Sequence, residues 1–225
     1  MSALLFGSIG TVVETSEVQR SAFNKGFEKH GLDWHWTREE YQALLVHSGG
    51  RHRIEAYAGV RGQSVNAAAI HRTKSDIFQE AMRKGCMQPR PGVAEVMREA
   101  RERGLKIALV TTTSRSNIEA LLGSVAQVID TQAFDLIVDV TQAGEPKPSP
   151  KCYSFAMEQL GETAESCIAI EDNVDGVTSA KAAGLTCVAF PGSNTADHDY
   201  STSDICTFEL SSDLLEQHLA ARATA

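Results

Sequence analysis

Short apolar runs and amphipathic stretches alternate along most of the chain. Residues 3–6, 106–111, 136–139, 167–171 and 186–189 are brief runs dominated by Leu, Ile, Val, Ala and Phe, and each predicts a buried strand. Between them, residues 92–103, 116–122, 150–160 and 175–183 carry apolar side chains at helical spacing, several with a glycine just beyond the last turn. Strands alternating with helices imply an α/β fold, a parallel sheet covered by helices on both faces. The rhythm breaks between residues 16 and 85. There the segments 18–30, 38–45, 51–59 and 65–84 all read as helices, with no strand among them. They form a helical insertion after the first strand, expected above the carboxyl ends of the strands, where open α/β sheets bind ligands. The division is a core domain of residues 1–15 and 86–225 and a cap domain of residues 16–85. The Ser/Asp-rich stretch 192–204 reads as a loop, and the Ala-rich C-terminus is expected to fray.

Composition narrows the partners. The 225 residues carry a formal net charge of −8, which argues against nucleic acid, whose binders show a basic face. A phosphorylated small ligand remains compatible, because backbone N–H groups and one or two cations suffice to hold it. The five cysteines are scattered without a CxxC pair, so neither a zinc site nor a disulfide framework is expected. With no signal-like N-terminus and no long apolar run, a cytoplasmic protein away from membranes is the expectation.

The candidate chemistry lies at the strand ends. "LLFGSIGT" runs from the first strand into a small-residue turn that presents Gly7, Ser8 and Ile9, then Gly10 and Thr11. "ALVTTTSR" ends a strand in Thr111 and Thr112, with Ser114 or Ser116 placed to cap the next helix; this is either plain capping or an anion cradle. "GEPKPSP" braces Lys147 between prolines, where it is either solvated or held to neutralise phosphate. "IAIEDN" sets Glu171 and Asp172 after a strand, suited to Mg²⁺ or to charging a helix start. In the cap, "GGRHR" offers Gly49 and Gly50 for close backbone approach and Arg51 and Arg53 as anion-binding forks. His71 and Lys74 are spaced to share a helix face, while Trp34 and Trp36 read as packing residues.

The ordered series Thr111, Lys147 and Glu171-Asp172 resembles the second, third and fourth motifs of the haloacid dehalogenase-like (HAD) hydrolase superfamily. "GLDWHW", "SGGRHRIEAY", "IHRTKSDIFQEA", "PRPGVAEVM" and "TTTSRSNIEALL" further resemble its CbbY-type sugar-bisphosphate phosphatases, within the phosphoglycolate phosphatase-like group. The resemblance implies a Rossmann-like core with a helical cap. It also implies phosphate contacts at Gly10, Thr111, Thr112 and Lys147, and substrate contacts at Gly49, Gly50, Arg51, Arg53 and Lys74. Glu171 and Asp172 would hold Mg²⁺.

The family's first motif, D-x-D-G-T, supplies a nucleophilic aspartate that also ligates the metal and a second aspartate that acts as acid and base. Those positions fall on Gly7 and Ile9. Glycine has no attacking atom and isoleucine carries no proton, so phosphoaspartyl catalysis is expected to be impaired or lost. With one carboxylate fewer, Mg²⁺ is expected to bind weakly or not at all. Ser8 is a poor replacement, because neighbouring side chains on an extended segment point opposite ways. Three readings stay open: a pseudoenzyme retaining phosphosugar binding, an active hydrolase with an atypical nucleophile, and a non-catalytic interaction protein.

Overall fold

The computed structural model describes residues 2–213. Six parallel strands form one sheet in the order β3-β2-β1-β4-β5-β6. They are β1 (Ala3–Phe6), β2 (Lys106–Val110), β3 (Leu136–Val138), β4 (Cys167–Glu171), β5 (Thr186–Ala189) and β6 (Ile205–Cys206). The central strand β1 pairs Leu5 with Ala108 of β2 on one side and with Ala169 of β4 on the other. Five of these strands lie where the apolar runs predict them. The sixth follows the 192–204 loop at the sheet edge, and two residues are too few to give a hydrophobic pattern.

Alternate residues of the strands face opposite layers. Leu4, Phe6, Ile107, Leu109, Ile168 and Ile170 join one buried cluster, whereas Ala3, Leu5, Ala108, Val110, Cys167 and Ala169 join another. Helix α1 (Ile9–Val12) is a single turn after β1, and α2 (Ser16–Lys29), α3 (Arg38–Leu44), α4 (Gly50–Val60) and α5 (Ala67–Lys84) follow before the next strand. The remaining helices, α6 (Val93–Glu102), α7 (Arg115–Val125), α8 (Lys151–Leu160) and α9 (Val174–Ala182), alternate with strands. Local chemistry sets many of their ends. Thr37 and Glu40 form a capping box at α3, Asn66 caps α5, Ser114 rather than Ser116 caps α7, Asn173 caps α9, and Gly161 ends α8 in a left-handed turn.

A third cluster belongs to the inserted helices. Phe23, Phe27, Trp34, Trp36, Tyr41 and Ile54 pack together, with the Trp36 ring 4.7 Å from Phe27 and 4.9 Å from Phe23. Both tryptophans are buried, so they act as packing residues. Helix α5 bridges the layers: Ile70 enters the aromatic cluster, and Phe78 and Met82 enter a sheet-face cluster. The Ala-rich C-terminal segment, expected to fray, lies outside the described residues.

Candidate active site

A cleft of about 870 Å³ opens between the carboxyl ends of the strands and the inserted helices. Its floor starts at Gly7, whose N–H continues the sheet by donating to Ile170 O at 2.8 Å. Beyond Gly7 the chain turns into α1. Ser8 caps that turn, its Oγ accepting from Gly10 N at 2.8 Å and donating to Asp172 Oδ1 at 2.8 Å. Ser8 therefore faces the cleft. Strand alternation, which would direct it away, stops applying once the backbone leaves β1. Ile9 is buried and packs with Val12 and Phe6 in the sheet-face cluster.

Behind the floor sits a dry polar group. Lys147 Nζ donates to Glu171 Oε1 at 2.6 Å, to Val110 O at 2.9 Å and, closely, to Gly7 O. Tyr153, from α8, donates its hydroxyl to the same Glu171 oxygen at 2.6 Å. Glu171 is 0% exposed, and its Oε2 has no hydrogen-bond partner. Burial pushes its carboxyl pKa upward, opposed by the Lys147 ammonium. A side chain at residue 7 would compete for this volume, since a Cβ on Gly7 would overlap the Glu171 carboxylate and the Tyr153 hydroxyl.

Thr111 is buried at the end of β2, where its Oγ1 accepts from Thr113 N at 3.2 Å, and Thr112 lines the cleft. The Gly10 N–H of the expected cradle is already bonded to Ser8 Oγ. Arg90 braces this rim from below, donating to Gly10 O at 3.2 Å, Phe190 O at 2.7 Å and Pro191 O at 2.5 Å.

The inserted helices form the roof. Gly49 has a φ of 96°, and Gly50 opens α4 with no room for a side chain, because a Cβ there would press on the His71 ring. Arg51 is exposed and pairs with Glu55 at 2.8 Å. Arg53 is buried and donates to Leu44 O and His47 O, both at 2.8 Å, so its fork holds the 44–49 loop. Lys74 is buried against the Phe23 and Phe78 rings and donates to Gln19 Oε1 at 2.8 Å. Burial, reinforced by Arg53, lowers its pKa from 10.5 to about 7. Burial also lowers His71 to about 4, with Lys74 contributing.

Residues 1–184 match the haloacid dehalogenase-like hydrolase family. The chain belongs to that family. It is 38% identical to protein CbbY of Cereibacter sphaeroides over 91% of this chain and 90% of that protein. It is 31% identical to a CBBY-like protein of Arabidopsis thaliana, over 90% of this chain and 67% of that one. The crystal structure of CbbY from Rhodobacter sphaeroides in complex with phosphate superposes with a TM-score of 0.85 at 37% identity, covering 93% and 94% of the two chains. A variant of that CbbY was solved with xylulose-1,5-bisphosphate. A β-phosphoglucomutase from Clostridium difficile shares the fold, with a TM-score of 0.81 at 16% identity over the full length of both chains.

The family implies Mg²⁺, for which Glu171 and Asp172 would be the carboxylate donors. Glu171 is sealed from solvent, with Oε1 taken by two donors and Oε2 enclosed against Gly176, where a Cβ would overlap it. Asp172 Oδ1 accepts from Ser8 and from Asn173 Nδ2 at 2.8 Å. Among the described residues no three His, Cys, Asp or Glu side chains gather as a metal cluster. Mg²⁺ wants accessible oxygens in octahedral array and keeps several waters. This arrangement does not fit it.

The site thus brings Gly10, Thr111, Thr112, Lys147 and Asp172 to one rim and Gly49, Gly50, Arg51, Arg53 and Lys74 to the opposite one. Sequence reasoning missed Tyr153, Gln19 and Arg90. Tyr153 stands six residues after Lys147 on an apolar helix face, where it reads as core. Gln19 and Arg90 carry no pattern that separates them from surface polar residues.

Proposed function

We propose that this HAD-family chain is a CbbY-like scaffold that has lost phosphoaspartyl catalysis and keeps a cleft for a small phosphorylated metabolite. The carrying observation is at residue 7. The first strand ends in a glycine, and the space beside it holds the Glu171 carboxylate and the Tyr153 hydroxyl instead of an attacking group. Ile9, at the position of the family's acid and base, packs in the hydrophobic cluster. The phosphate and xylulose-1,5-bisphosphate complexes of CbbY support a phosphosugar as the ligand class. Under this reading residues 16–85 act as a cap domain and residues 1–15 and 86–225 as the core. Gly10 in the first turn of α1, Thr111 and Thr112 ahead of α7, and Lys147 hold a phosphoryl group, and Arg51 and Lys74 face the distal end of the ligand. Mg²⁺ binds weakly, and the protein works in the cytoplasm without nucleic acid or membrane. No helix among the described residues is long and apolar enough to cross a bilayer.

The test is a phosphatase screen on the protein and on the double variant Gly7→Asp with Ile9→Asp. Once the new residue-7 carboxylate has displaced that of Glu171, the variant is expected to gain Mg²⁺-dependent hydrolysis of a sugar phosphate, whereas the unaltered protein is expected to show none. Neither single variant should suffice, because nucleophile and proton carrier serve one transition state. The Ser8–Asp172 hydrogen bond favours a second reading, a hydrolase using Ser8. Turnover by the unaltered protein that disappears in Ser8→Ala would establish it.

A further inference from the structure

Glu171 lies between two glycines. A Cβ on Gly7 would overlap its carboxylate from one side, and a Cβ on Gly176 would overlap it from the other. The seat is closed by chemistry as well as by shape, since Lys147 and Tyr153 both donate to Oε1 at 2.6 Å. Lys147 in turn reaches the carbonyls of Gly7 and Val110, so one ammonium joins β1, β2 and β4. Both partners are buried, with the Lys147 side chain 4% exposed and that of Glu171 0% exposed. At such burial the charges interact strongly and are little screened by salt.

We propose that Glu171 is the resident counter-anion of Lys147, seated where a side chain at residue 7 would stand, and that it sets the anion affinity of the cleft. The inference rests on the phosphate-binding reading above. Glu171 neutralises the lysine from within, so the strand-end loops cohere without a divalent cation. It also weakens the pull of Lys147 on a phosphoryl group at the cleft floor. A metal ligand at this position would act in the opposite sense, raising phosphate affinity through the cation it held.

Glu171→Gln separates the two roles. The amide keeps an oxygen for Lys147 and Tyr153 and removes the charge. Binding of inorganic phosphate is measured by calorimetry for both proteins, in EDTA and in millimolar Mg²⁺, beside thermal melts. The unaltered protein is expected to bind phosphate equally and to melt at the same temperature in both buffers. Glu171→Gln should bind phosphate about tenfold more tightly without metal, because the Lys147 charge is then no longer neutralised from within. Phosphate affinity or melting temperature that rises with Mg²⁺ in the unaltered protein would overturn the proposal, as would equal or weaker binding by Glu171→Gln. If neither protein binds phosphate, the ligand reading fails and Gly7→Ala decides the seat. Its methyl group must displace Glu171, so its melting temperature should fall well below that of the unaltered protein in either buffer. An unchanged melting temperature would show that Glu171 has no fixed seat there.

Discussion

Lys74 Nζ donates to Gln19 Oε1 at 2.8 Å from beneath the rings of Phe23 and Phe78. This hydrogen bond joins α2 to α5, and burial makes the charge on that lysine costly. Its pKa falls to about 7, so the folded protein holds the proton less tightly than the unfolded chain does. Stability from this group is therefore expected to rise with pH between about 7 and the ordinary 10.5, and to be flat below about 7. Anion affinity at the roof should move the other way, falling above pH 7 as the amine becomes neutral. Sulfate, which keeps its charge across this range, is the probe, and Lys74→Met should flatten both profiles.

Lys147→Ala is expected to damage stability more than binding. Removing the ammonium leaves Glu171 as an unpaired charge in a dry site, a loss of about 3–5 kcal/mol for buried pairs of this kind. Urea melts read it directly. A loss below about 1 kcal/mol would mean that the lysine and the carboxylate are solvated rather than sealed.

Arg53→Ala should loosen the 44–49 loop. The side chain gives one hydrogen bond each to Leu44 O and His47 O and lies 5.6 Å from the Tyr41 ring centre. Charged hydrogen bonds contribute about 1.5–3 kcal/mol each, so a loss of several kcal/mol is expected, with faster amide exchange centred on residues 44–49. Arg53→Lys should not restore it, because an ammonium lacks the fork that spans two carbonyls.

The 192–198 segment ties the sheet layers to the inserted helices, and cutting those ties should open the cleft. Asn194 donates to Glu17 Oε1 at 2.6 Å and accepts from Arg38 Nε at 2.9 Å. Thr195 Oγ1 donates to Asp172 O at 2.8 Å. Asn194→Ala is expected to cost about 1–2 kcal/mol and to increase proteolysis of the inserted helices. Unchanged cleavage would place the hold elsewhere, at Ser48, whose N–H donates to Asp175 Oδ2 at 2.6 Å.

Much of the architecture follows from local pattern. The runs at β1, β2, β4 and β5 announce buried parallel strands because they are apolar on both faces, as a sheet covered on two sides demands. The four consecutive helical segments after β1 announce the insertion for the same reason in reverse, since their apolar residues recur at helical spacing. The strand-end residues Thr111, Lys147, Glu171 and Asp172 already resemble the family to which residues 1–184 match.

What the pattern could not carry is direction and partnership. Ser8 turns toward Asp172 because the backbone leaves the strand two residues earlier, an event that alternation does not encode. Arg53 looks like an anion fork in sequence, yet its Nε and Nη2 are taken by two carbonyls of the neighbouring 44–49 loop. Glu171 looks like half of a metal pair, yet its distant neighbours Gly7, Lys147, Tyr153 and Gly176 turn it into a sealed counter-charge. Sequence determined which groups stand at the strand ends. Tertiary structure decided which of them face the cleft and which are satisfied by each other, because a buried polar group must find its partner in space rather than along the chain.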